Sequence, residues 1–94
     1  MPSAKRTFGS QARDRRFIAV MLSGFPALGK YITLNNDSTI TVEDETFAGG
    51  GATFVIHAFY SLHHREPIVL QDIVLLDDRN RQLFILALGE WLVD

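Results

Sequence analysis

The chain has 94 residues, no cysteine and a formal net charge of −2. Its length allows one domain, the missing cysteines exclude a disulfide framework and thiolate chemistry, and its longest unbroken apolar run, Phe17 to Leu22, is far too short to span a bilayer. The charge is divided: residues 1–16 carry Lys5, Arg6, Arg13, Arg15 and Arg16 against Asp14, a balance of +4, and residues 17–94 carry −6.

Residues 1–16 read as a basic arm on a single β-rich domain, residues 17–94. An arm of this kind can neutralise phosphates or acidic surfaces without reading bases. Lys5, Arg6, Arg13, Arg15 and Arg16 are therefore the candidate contacts for an anionic partner, either another protein or a polymer such as nucleic acid. The plain alternative is a solubilising tail. A competing reading of residues 1–29 is a signal or transit peptide, with the basic start and Phe17–Leu22 as its n- and h-regions. Ser23, Gly24 and Pro26 interrupt that run, and the expectation is a cytoplasmic protein without membrane contact. Gln11 to Ser23 has two readings. As a helix it places Phe17, Val20, Met21 and Gly24 on one face, capped by Ser10 and stopped by Gly24. As a strand, Phe17–Leu22 joins the sheet, and this reading is preferred.

Gly24 to Lys30 fits G-x-x-x-x-G-K, so Gly24, Gly29 and Lys30 are a candidate phosphate loop. Tyr31 stands where Ser or Thr should hold magnesium, and Tyr31–Leu34 reads as a strand where the motif requires a helix. A Gly/Pro turn is favoured. Tyr31–Leu34 and Thr39–Val42 form a predicted hairpin around Asn35-Asn36-Asp37-Ser38. Alternation puts Ile32, Leu34, Ile40 and Val42 on one face and Thr33, Thr39 and Thr41 on the other. Glu43 to Ala52 is an acidic, glycine-rich loop.

Thr53 to Tyr60 is apolar on both faces and reads as a central or interface strand. Ser61 to Pro67 connects it to a further strand region, Ile68–Leu76, with a bulge at Gln71-Asp72. Asp77 to Asn80 is a turn. Arg81–Leu88 returns as the partner strand and Gly89 ends it. Trp91, Leu92 and Val93 make a docking tail. His57 on the strand, with His63 and His64 in the connection, is a candidate metal set, although adjacent histidines diverge in extended backbone. Glu43-Asp44-Glu45 and Asp77-Asp78 lack calcium-loop spacing. Ser10, Ser23, Ser38 and Ser61 lie in no nucleophile motif.

The expected fold is mainly β, with α+β as the alternative: a small antiparallel barrel or sandwich of about five to six strands. The arm contributes one short helix at most. Phe54, Ile56, Phe59, Leu70, Val74, Phe84 and Leu86 are the expected core and the candidate interface. About half of residues 17–94 are apolar, more than one small core requires, and such a surplus favours a homo-oligomer. The expected function is a non-enzymatic interaction or regulatory module without cofactors, self-associating through apolar strand faces. A nucleic-acid-associated protein acting through residues 1–16 is the first alternative. A small metal- or nucleotide-binding barrel is the second.

Overall fold

Asp14, Phe17, Ile18 and Met21 fall on one stripe of a 3.6-residue repeat, and all four are buried. The segment around them is a helix, α1 (Ala12–Gly24), in the computed structural model, which describes residues 6–43 and 49–93. A strand, β1 (Arg6–Gly9), precedes α1. A 3-10 turn, Pro26–Lys30, leads from it into the hairpin β2 (Ile32–Leu34) and β3 (Thr39–Val42). Helix α2 (Gly50–His64), a 3-10 segment, Leu70–Leu75, and helix α3 (Asp78–Leu92) complete the order. The three strands form one antiparallel sheet in the order β1-β3-β2.

The expected hairpin is present, and its facing holds. Ile32 lies opposite Val42 and Leu34 opposite Ile40, while Thr33 pairs with Thr41 on the other face. β1 adds Phe8 beside Ile40 on the apolar side and Thr7 beside Thr41 on the polar side. The turn is held by its own side chains. Ser38 takes a left-handed conformation (φ 67°), and the Ser10 N–H donates to its carbonyl at 3.0 Å, extending the β1–β3 ladder. The Thr39 hydroxyl donates to Asp37, and this holds the Asp37 carboxyl below its ordinary range. Folding lowers that pKa, so the associated stability is present above the ordinary carboxylate range and fades as pH falls through the depressed value. Thr39→Val is expected to move the Asp37 titration upward, as read by NMR of the side-chain carboxyl. An unmoved titration would remove the hydroxyl as its cause.

The barrel or sandwich expected from the sequence is not formed. Among the described residues 65% are helical, and the sheet is open and three-stranded. Four segments expected as strands are helical: Phe17–Leu22 lies in α1, Thr53–Tyr60 in α2, Arg81–Leu88 in α3, and Ile68–Leu76 contains the 3-10 segment. The physical reason is clearest in α2. Its buried residues, Ala52, Phe54, Val55, Ile56, Ala58 and Phe59, cover both sides of any strand. Strands of four, three and four residues offer no second layer to cover such a segment. A central helix packed on several sides buries all six, and that burial outweighs the few tenths of a kcal/mol by which Val, Ile, Thr and Phe disfavour helix. The α3 face that points inward carries Phe84, Ala87, Leu88 and Trp91 at helical spacing. Asp77, expected in a turn, is its N-cap and accepts from the Asn80 N–H at 2.8 Å. Gly89 lies inside α3 instead of ending a strand.

Phe17, Phe54, Phe59 and Phe84 form the centre of the core, with Ile18, Met21, Leu28, Ile32, Ile40 and Val42 around them. Phe84 meets Phe54 at 4.9 Å and Phe17 at 5.8 Å between ring centroids, so it joins α3 to both other helices. Phe17, Ile18, Met21 and Leu28 are fully buried, which makes residues 17–28 an integral part of the core. Of the residues expected to supply core and interface, Leu70, Val74 and Leu86 are exposed. Among the described residues no helix is long and apolar enough to cross a membrane.

Candidate functional site

The ends of three helices meet at Asp14, in the first turn of α1. Its carboxylate is almost completely buried. Oδ1 accepts from Trp91 Nε1–H, near the end of α3, at 3.0 Å. Oδ2 contacts His63 Nδ1, near the end of α2, at 3.3 Å and accepts the Gln11 backbone N–H at 3.2 Å. A carboxylate only accepts, so His63 Nδ1 carries the hydrogen at this contact. Phe8 of β1 stands edge-on to both His63 and His64 at 5.1 and 5.9 Å. The cleft beside this joint has a volume of about 470 Å³, with Arg13, Ser61, Arg65 and Glu66 on its walls.

An Asp–His contact can orient a general base, but the base then needs a nucleophile within reach. Ser61 lines the same cleft. It lies two residues before His63 on α2, a spacing at which helical side chains do not face each other. The arrangement ties three helix ends together. Neither Asp14 nor Trp91 was a sequence candidate. The signal was present in the spacing 14-17-18-21: an acid heading an apolar stripe must find donors when the stripe is buried.

The cations of the basic segment are distributed over the fold. Lys5 lies outside the described residues. Arg6 sits in β1 with its guanidinium over the Tyr60 ring at 5.8 Å, and Arg13 lies over Trp91 at 4.7 Å. Arg15 donates to the carbonyls of Thr39 and Asn35 at 3.1 and 2.8 Å, fastening α1 to the hairpin. Arg16 donates to the carbonyls of Glu90 and Val93. It thereby satisfies the C-terminal end of α3 and complements its dipole.

The remaining candidates separate. Gly24 closes α1, Gly29 and Lys30 lie in the 3-10 turn, and β2 follows. This helix–turn–strand order is the reverse of a phosphate loop. Gly24 has a packing role, since a Cβ there would lie 2.7 Å from Leu83 Cδ2 on α3. His57 is exposed on α2, six residues from His63 and on a different side of the helix. Among the described residues no three His, Asp or Glu side chains converge on a metal position. Asp44 and Glu45 fall outside the described residues, and Asp78 pairs with Arg81 at 3.1 Å.

A second feature is apolar. Every large hydrophobic residue that is exposed among the described residues lies between 69 and 93: Val69 just before the 3-10 segment, Leu70, Val74 and Leu75 on it, Ile85, Leu86 and Leu92 on α3, and Val93 just past its end. Helix α3 is thus apolar on two sides, one facing α1 and one facing outward. Comparison with protein-family models, curated proteins and solved structures finds no match.

Proposed function

We propose that this protein is a non-enzymatic interaction module that works by self-association, with residues 69–93 as its binding surface. The observation that carries the reading is that, among the described residues, the eight exposed large hydrophobic ones are confined to that stretch, with Val74, Leu92 and Leu86 at 71, 70 and 64% exposure. Uncovered apolar area of this extent marks a surface that another molecule covers. It relocates the self-association expected from strand faces onto a helix, because the apolar strand residues are already inside. The absence of cysteine supports a reducing, cytoplasmic setting. A nucleic-acid role for residues 1–16 draws less support, since Arg15 and Arg16 donate to backbone carbonyls of the fold itself.

Sedimentation velocity over a concentration series tests the proposal. The chain is expected to associate in the micromolar range, and Leu86→Glu to weaken association at least about 100-fold. Burying one leucine contributes about 1.5–3 kcal/mol, counted twice in a two-fold pair. A chain that stays monomeric at high micromolar concentration would overturn the reading.

A further inference from the structure

On α3 the outward residues Ile85, Gly89 and Leu92 form one row, and Leu86 lies beside it on the other flank of the glycine. Gly89 is exposed, and a Cβ built on it meets nothing within 4 Å. The folded chain therefore has no steric need for glycine there. Glycine inside a helix is also the least favourable choice after proline. Its isolation among the exposed aliphatic side chains of Ile85, Leu86 and Leu92 is explained if a second backbone approaches at that point, where any side chain would hold it off.

Resting on the self-association proposed above, we infer that two copies pair through α3 in antiparallel fashion, crossing at Gly89. A two-fold axis through Gly89 sets Ile85 against Leu92 of the second copy on one flank. Leu86 of each copy flanks the crossing on the other side, and each contact occurs twice. This is the self-complementarity that a two-fold interface requires. Ile85, Leu86 and Leu92 of both copies, together with the flanking Gln82 and Glu90, supply the area that the pairing covers. The antiparallel sense follows from charge. A parallel pair would set Asp78 against Asp78, Arg79 against Arg79 and the two helix dipoles side by side in the same direction. The antiparallel pair carries the first turn of each helix beyond the end of the other and opposes the dipoles.

The chain has no cysteine of its own, so introduced cysteines report the geometry without background. A mixture of Ile85→Cys and Leu92→Cys chains is expected to form the mixed disulfide on mild oxidation, and Ile85→Cys alone to form none. Gly89→Gln is expected to raise the melting temperature of the diluted monomer, because glutamine favours helix, and to weaken association about tenfold or more, because the side chain overfills the crossing. Rapid cross-linking of Ile85→Cys with itself, or association unchanged by Gly89→Gln, would overturn the antiparallel crossing while leaving self-association standing. A wild-type chain that never associates would remove both.

Discussion

Asp14→Ala is expected to destabilise the folded chain by about 3 kcal/mol. The substitution removes a buried acceptor and strands its donors. Trp91 Nε1–H loses a charge-assisted bond of 3.0 Å, a class of bond that contributes about 1.5–3 kcal/mol. The first turn of α1 loses the bond from Gln11 N–H, part of a capping box between Gln11 and Asp14, typically about 1 kcal/mol. His63 loses the partner that holds its ring against Phe8. Asp14→Asn keeps one acceptor for Trp91 and should lose roughly half as much. Trp91 is the only tryptophan, so its emission reports the joint directly. Urea unfolding followed by fluorescence and far-ultraviolet circular dichroism, at concentrations low enough to avoid self-association, would check both values. A loss below about 1 kcal/mol for Asp14→Ala would show that the three helix ends do not depend on this carboxylate.

Phe84→Ala should cost about 3–5 kcal/mol, through the lost transfer of a phenyl ring and the cavity left behind. Phe84 is fully buried and is the ring through which α3 meets both Phe17 of α1 and Phe54 of α2. Those two aromatic contacts add about 0.5–1.5 kcal/mol each beyond burial. Domains of this size carry about 5–15 kcal/mol in total, so the variant keeps a narrow margin and should unfold near physiological temperature. Phe84→Leu fills most of the volume and should lose less than half as much. Calorimetry of the two variants beside the wild type gives the comparison. Equal and small losses would mean that α3 is anchored elsewhere. The outcome also bears on assembly, because α3 presents the outward face of Ile85, Leu86 and Leu92 only while Phe84 holds its inner face in place.

Much of the hairpin was legible in the order of residues. Ile32, Leu34, Ile40 and Val42 alternate with Thr33, Thr39 and Thr41, and Asn, Asp and Ser sit at the bend, so local chemistry alone specifies both turn and facing. The helices were harder to read because their apolar residues cover more than one face. In α2 the polar positions Thr53, His57, Ser61 and His64 do recur at intervals of three and four. That period competes with a run of β-branched and aromatic residues, and propensity is a weak guide once a segment is fully buried. The division of apolar residues between inside and outside was not legible: Leu70, Val74 and Leu86 lie outside while Ile18, Leu28 and Ala87 lie inside.

The amino-acid sequence by itself determined a single small chain without disulfides, with one hairpin, a basic start and a surplus of apolar side chains. Those are properties of composition and of neighbours along the chain. Only the tertiary structure decided that residues 17–22, 53–60 and 81–88 are helical, because a sheet of three short strands cannot cover segments that are apolar all round. It alone decided where the arginines of the basic start lie. Arg13, Arg15 and Arg16 reach Trp91, the hairpin and the end of α3 across separations of 20 residues or more, and contacts of that range are set by packing, not by any local pattern. The same packing buried Asp14 with its three donors and left Gly89 at the centre of an uncovered apolar face.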